Sequence, residues 1–247
     1  MPLKTFNFKF SILDAGLLSG SSDIHCHLLP GVDDGICDYS KAVAALRWLK
    51  GIGINHLYLT PHVMSDYPNN SPGYLTEQFD RFTKKMENGG IIDIPALKLG
   101  AEYMLEGTFN IPNNESLLTY AGRHVLVETS YLTTPLGFII LLNGLKNGGY
   151  LPVLAHPERY SYMVMSDYES LKNQNIKFQL NYLSLVGVYG THVKEKAAQL
   201  LKEGLYDYAG SDMHHLTWHQ KNLQLQKLKK KQITQLHYLF QNNQQLW

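Results

Sequence analysis

Six short apolar runs in this chain end in side chains that bind metal ions. They are Ser22-Asp23-Ile24-His25-Cys26-His27, Leu57-Tyr58-Leu59-Thr60-Pro61-His62, Leu97-Lys98-Leu99-Gly100-Ala101-Glu102, His124-Val125-Leu126-Val127-Glu128, Leu151-Pro152-Val153-Leu154-Ala155-His156 and Tyr208-Ala209-Gly210-Ser211-Asp212-Met213-His214. His25 and His27 stand two apart, so on a strand both imidazoles point to one side and can chelate a single ion. Asp212 and His214 repeat that spacing. The turn Pro30-Gly31-Val32-Asp33-Asp34-Gly35 adds two carboxylates just after the first histidine pair. Glu102 and Glu128 each close a β-like run, where a buried carboxylate requires a cation, whether a metal or a salt-bridge partner.

Imidazoles and carboxylates without thiolate, in a set larger than one ion needs, suit two or three ions sharing a bridging carboxylate. Manganese is favoured by the carboxylate share, and zinc or iron is compatible. Such a cluster brings a bridging water to hydroxide near neutral pH and clamps phosphate oxygens during in-line displacement. Arg159, three residues after His156, is placed to grip a phosphate oxygen bidentately; a surface pair with Glu158 or a neighbour is the structural alternative. A cysteine-dependent phosphatase loop is excluded, because it needs an arginine six residues after its cysteine. Val32 follows Cys26 at that distance and Val43 follows Cys37.

Strand-like and helix-like segments alternate around these run ends. Strands are expected at residues 22–27, 55–60, 96–101, 123–127, 151–155, 176–180 and 205–209. Helices are expected at 38–50, 74–87, 136–146 and 192–203, and residues 216–242 should form one long helix or two. Asp38 is a natural N-cap for the first helix, and Gly51 and Gly53 end it. The βα alternation implies parallel strands joined by right-handed crossovers, with catalytic groups at the strand ends as in an α/β barrel. Seven strands is one short of the usual eight.

At 247 residues the chain suits one α/β domain with a full core. We expect an N-terminal extension at 1–20 and a single domain at 21–247. The formal net charge of +1 provides no field to attract nucleic acid or an anionic membrane. No apolar run reaches membrane-spanning length, the first 20 residues make a poor signal peptide, and two cysteines form no disulfide framework. A cytoplasmic location without membrane insertion is the simplest expectation. The stretch 213–247 has no acidic residue and carries Lys221, Lys227, Lys229, Lys230 and Lys231. Its leucines and Ile233 favour an amphipathic packing helix over an anion-binding face.

The ordered set D-I-H-C-H, D-D-G, T-P-H, G-A-E, a strand-end Glu, A-H-P-E-R and S-D-M-H resembles the PHP (polymerase and histidinol phosphatase) superfamily from about Asp23 to His215. Within it the chain is most similar to bacterial manganese-dependent protein-tyrosine phosphatases of the CpsB/YwqE type. The resemblance implies a distorted seven-stranded (β/α)7 TIM-like barrel, the PHP fold, with three metals at its mouth. It implies that His25, His27, Glu102 and Asp212 hold the first metal. Glu102 would bridge to a second, held also by Glu128 and His156, and Asp34, His62 and His214 would hold a third. Asp34 is preferred to Asp33 on the D-D-G pattern, and a carboxylate at Glu128 points to the tyrosine phosphatase branch. Arg159 matches the branch's phosphate-binding arginine.

The resemblance further implies a phosphotyrosyl protein as substrate, specifically the tail of a bacterial tyrosine kinase controlling capsule or exopolysaccharide export. Tyr67, Tyr103, Tyr131 and Tyr160 are candidates for the rim of a site open to a peptide. Small-molecule phosphoester hydrolysis, such as that of histidinol phosphate, is the alternative enzyme, and a non-catalytic binding module the alternative class. Two departures stand out. The position of the branch's second phosphate-binding arginine is His219, a partial substitute or a leaving-group acid, and the residues before Asp23 form an addition that could cover the barrel base or contact another copy.

Overall fold

A computed structural model describes residues 9–106, 109, 116–225 and 228–247. The strands are β1 (Lys9–Phe10), β2 (Ser22–Asp23), β3 (His56–Leu59), β4 (His62–Val63), β5 (Ala96–Leu99), β6 (Glu102–Met104), β7 (His124–Glu128), β8 (Leu151–Ala155), β9 (Lys177–Asn181), β10 (Tyr208–Gly210) and β11 (Leu228–Lys229). The helices are α1 (Tyr39–Gly51), α2 (Pro72–Asn88), α3 (Phe138–Asn147), α4 (Met165–Asn173), α5 (Thr191–Lys202), α6 (Leu216–Leu225) and α7 (Lys230–Asn243).

The expected βα alternation is present and its strands are parallel, but they pair as two sheets. One runs β2-β3-β5 and the other β10-β9-β8-β7-β6-β4. The expected strands at 55–60 and 96–101 each continue past a break. Pro61 stands between β3 and β4, where it has no N–H for a ladder. Gly100 stands between β5 and β6, where a Cβ would lie 2.9 Å from the Tyr120 ring and 3.3 Å from Thr60. The halves beyond each break belong to the second sheet.

Helix α1 starts where Asp38 accepts a hydrogen bond from the Lys41 amide, and it buries Ala42, Val43, Ala45, Leu46 and Leu49 along one face. Helix α2 is capped by Ser71, carries Pro72 in its first turn and buries Leu75, Phe82 and Met86. Helix α4 is an addition to the expected elements: only Tyr168 and Leu171 are buried along it, too sparse a stripe to read as periodic. The C-terminal stretch is two helices, and α7 buries Leu236, Leu239, Phe240 and Asn243.

Asn243 ties the first and last parallel strands of the chain together. Its Nδ2 donates to the Ser22 carbonyl (2.8 Å) and the Ala209 carbonyl (2.6 Å), and its Oδ1 accepts from the Ala209 amide (3.1 Å). In the N-terminal segment β1 pairs antiparallel with β11, and Ile12, Leu17 and Leu18 are buried in the main core. The expected addition thus packs as core from Ile12 onward, while residues 1–8 lie outside the described ones. Among the described residues no helix is long and apolar enough to cross a membrane.

Candidate active site

The segment after β2 carries His25, Cys26 and His27, and period-two alternation sorts them. The Cys26 thiol turns away and donates to the Tyr58 carbonyl (3.3 Å); burial pushes its pKa well up. The two imidazoles turn together, their Nε2 atoms 3.2 Å apart. Each ring is held by its other nitrogen. Gln179 gives its amide N–H to the Leu180 carbonyl, so its Oε1 faces His25 Nδ1 at 2.8 Å as an acceptor. Asp33 accepts from His27 Nδ1 at 2.8 Å. Both Nε2 atoms are thereby left with electron pairs directed at one point.

Carboxylates converge on that point. Glu102 Oε2 lies 3.1 Å from His25 Nε2 and 3.3 Å from His27 Nε2, and Asp212 Oδ1 lies 3.5 and 3.6 Å from them. A second group adjoins it: His62 Nδ1 stands 3.1 Å from Glu128 Oε1 and 3.3 Å from Glu102 Oε2. His156 Nε2 faces Glu102 Oε1 at 3.0 Å and Glu128 Oε2 at 3.9 Å. At the solvent side, Asp34 Oδ1 lies 3.5 Å from both His62 Nε2 and His214 Nε2. His214 donates its Nδ1–H to the Asp212 carbonyl (3.0 Å), which leaves Nε2 free toward Asp34.

The structure therefore brings His25, His27, Asp34, His62, Glu102, Glu128, His156, Asp212 and His214 into one cluster. Ligand-sized groups within it are His25–His27–Glu102–Asp212, His62–Glu102–Glu128 and His27–Asp34–His62–His214. His62 stands between the second and third groups, and His156 joins the second through its two glutamate contacts. Among the described residues Glu102 Oε2, Glu128 Oε1 and His62 Nδ1 are buried without a hydrogen-bond partner. Buried carboxylate and imidazole atoms facing one another in that state are the donor set of a cation site, so the residues fit a metal cluster.

Neighbouring charges in the cluster act on one another. Burial opposes a charged His25, yet Glu102 and Asp212 push its pKa up to about 10; Glu102 and Glu128 act likewise on His62, to about 9. Burial opposes ionisation of Glu102, but the surrounding imidazoles hold its pKa well below the usual range. Glu128 is raised, by burial first and the Glu102 charge next. Protons and a metal ion compete for these atoms.

Two backbone features permit the convergence. His156 and Asp212 both adopt positive φ, +33° and +52°, a sparsely populated conformation for non-glycine residues that clusters at functional sites. Gly210 leaves room beside them: a Cβ there would lie 2.7 Å from His25 Cβ and 2.8 Å from Gln179 Nε2.

Arg159 stands beside this cluster. It donates from Nη1 to Asp212 Oδ2 at 3.0 Å, and its guanidinium lies 4.1 Å from the Tyr131 ring centroid and 4.6 Å from that of Tyr189. Glu158 is not its partner. That carboxyl is fully buried, accepts from Asn181 N, Ser184 Oγ and Tyr206 Oη, and is pushed up to about 7 by burial. A cleft of about 380 Å³ opens here, lined by Asp34, His62, Glu102, His156, Arg159, Asp212 and His214 together with Tyr131, Tyr189, His215 and Trp218.

His219 corrects an expectation. It does not line the cleft: it is fully buried, bonded through Nε2 to the Tyr182 hydroxyl (2.8 Å) and packed edge-on against Trp48. Burial drives its pKa down to about 3, so it is neutral and unable to grip an anion. Of the expected rim tyrosines, Tyr131 lines the cleft and Tyr67 stacks parallel to His62 at 6.0 Å. Tyr160 is buried, its hydroxyl bound to the Ala155 carbonyl, and Tyr103 is buried as well. Gln179, Tyr189 and Trp218 had no sequence signal, since each owes its place to neighbours remote in the chain.

The family model for capsular polysaccharide synthesis proteins, CpsB/CapC, matches residues 21–245. The chain belongs to the CpsB/CapC family. Relatives of this CpsB/CapC protein include the tyrosine-protein phosphatase YwqE of Bacillus subtilis (strain 168), 28% identical over 231 residues, covering 91% of this chain and 90% of YwqE. The tyrosine-protein phosphatase CpsB of Streptococcus pneumoniae is 25% identical over 203 residues, covering 78% and 83%. The fold is similar to one in the crystal structures of YwqE and CpsB, described as unique metal-dependent tyrosine phosphatases, at a TM-score of 0.75 with 24% identity, over 91% of this chain and 93% of the other. The phosphotriesterase homology protein of Escherichia coli shares the fold more distantly, at a TM-score of 0.52 with 13% identity, over 92% and 98%.

Proposed function

We propose that this CpsB/CapC protein is a metal-dependent protein-tyrosine phosphatase. The observation that carries the proposal is the convergence of His25 and His27 Nε2 with Glu102 and Asp212 beside an arginine-lined cleft. Family membership and the phosphatase names of its relatives supply the reaction class.

We assign His25, His27, Glu102 and Asp212 to a first ion, Glu102, Glu128 and His156 to a second, and Asp34, His62 and His214 to a third, with manganese favoured by the carboxylates. Bound there, the ions would supply Lewis acidity toward phosphate oxygens and toward an attacking water. The chain's own groups do the rest. Glu102 joins the first two donor groups, and Gln179 and Asp33 fix the rings of His25 and His27. Arg159, held by Asp212, offers its remaining N–H groups to the phosphate. A tyrosine phenolate, with a parent pKa of about 10, leaves without strong proton donation, so the absence of His219 from the cleft does not weaken the assignment.

The substrate we infer is a phosphotyrosyl protein, the tail of a bacterial tyrosine kinase that controls capsule or exopolysaccharide export, met in the cytoplasm. We also infer one distorted seven-stranded barrel from the two sheets. Support comes from the parallel bridge between Cys26 and Met213 and from the His27 amide donating to the Met213 carbonyl at 2.9 Å.

The test is phosphate release by metal-stripped protein, with and without added manganese, on a phosphotyrosyl peptide beside histidinol phosphate. Manganese-dependent release from the peptide alone is expected. Preference for histidinol phosphate would move the enzyme to small-molecule metabolism. Silence on both in a metal-binding protein would revive the binding-module alternative.

A further inference from the structure

The donor cluster accounts for one end of a phosphate ester, but the cleft has a second kind of wall. Tyr131 and Tyr189 lie against the Arg159 guanidinium, and the Tyr189 ring is followed by that of Trp218, centroids 6.0 Å apart and tilted by 47°. Tyr189 is already engaged, its hydroxyl accepting from Asn181 Nδ2 at 3.0 Å. Trp218 is not needed in the core: it is 39% exposed on α6, three residues after His215, and both side chains line the cleft. His219, the next residue, turns inward.

An indole held half-open to water beside charged groups keeps a large apolar face wet, and a flat apolar ligand would cover it. The phosphate-binding side chains of this cleft do not distinguish an alkyl from an aryl ester. The aromatic row does. We propose that Trp218, with Tyr189 beside it, is the aryl-recognising wall of the cleft, against which the phenyl ring of a phosphate ester packs while its phosphate meets Arg159 and the donor cluster. The inference rests on the phosphatase reading and adds to it the residue that selects an aromatic ester over an aliphatic one.

The experiment compares phenylphosphonate with methylphosphonate, neither of which can be hydrolysed as an ester. Their binding to the manganese-loaded protein is measured by titration calorimetry and by quenching of tryptophan emission. Wild type should prefer the phenyl ligand. Trp218→Ala should lower that preference about three- to tenfold, the usual worth of one aromatic pair. Trp218→Phe should keep most of it while losing the quenching, because Trp48 and Trp247 do not line the cleft. The phenylalanine variant also separates recognition from folding, with thermal melts of both variants as the check.

A Trp218→Ala protein that melts normally and keeps the full phenyl preference would overturn the inference alone. So would a wild type that binds both ligands equally. A wild type that binds metal but neither phosphonate would overturn the phosphatase reading, and the inference with it.

Discussion

Arg159 is bound to Asp212, 53 residues away in the chain, while the adjacent Glu158 is turned into the interior. Asp212 divides its oxygens: Oδ2 takes Arg159 Nη1 and Asn181 Nδ2, both at 3.0 Å, and Oδ1 faces His25 and His27. One carboxylate thus couples Arg159 to the donor cluster. Arg159→Ala should raise KM for a phosphotyrosyl peptide about tenfold or more, the loss expected for hydrogen bonds to a charged group. Arg159→Lys should recover only part of it, lacking the planar fork. Steady-state kinetics at saturating metal is the check, and an unchanged KM in the alanine variant would remove Arg159 from the site.

Glu102 faces His25, His27, His62 and His156. Glu102→Gln should abolish hydrolysis and lower the number of bound metal ions, with little change in circular dichroism. Metal content by mass spectrometry reads it, and full occupancy with normal turnover would refute the shared-carboxylate assignment.

Asp33 and Gln179 touch the histidines rather than the cleft. Asp33→Asn and Gln179→Leu should each weaken metal affinity about 10- to 100-fold, as loss of a ring-orienting partner does in other metal sites. Competition against a chelating dye measures it. Wild-type affinity in both variants would mean that the rings are held by packing alone.

Metal should stabilise the fold. Ions that bind the native cluster at 100 times their Kd add about 2.7 kcal/mol. For a chain of this size that corresponds to a rise in Tm of roughly 5–10 °C. Scanning calorimetry before and after chelation checks it, and an unchanged Tm would argue that no ion occupies the cluster.

His219 gives a pH signature apart from catalysis. Its folded pKa of about 3 lies below its ordinary value of 6.5, so the unfolded chain takes up a proton that the folded chain refuses. Its contribution to stability is present in full above pH 6.5 and is lost as pH falls toward 3, at about 1.4 kcal/mol per pH unit. Glu158, raised to about 7 from 4.5, has the opposite slope between those values, so the bare profile mixes the two. The difference between wild type and His219→Gln in urea midpoint, followed from pH 7 to pH 5, isolates it. A difference independent of pH would show that His219 titrates normally.

What was legible in the sequence was local. His25 and His27 point one way and Cys26 the other because strand side chains alternate. Helix α1 announced itself through its Asp38 cap and its glycine stops, and strand-end histidines and carboxylates suggested metal chemistry on residue type alone. Tertiary structure decided everything that depends on which distant segments lie side by side. It placed Asp33 behind His27 and Asp34 at the opening, set Gln179 of β9 against His25, gave Arg159 to Asp212 and buried His219 under Tyr182. It also carried two expected strands on past breaks at Pro61 and Gly100 and assigned the continuations to the other sheet. The physical reason is that backbone alternation fixes a side chain's direction within its own strand, whereas its partner is set by the register between strands and by helix packing, which no short window of residues contains.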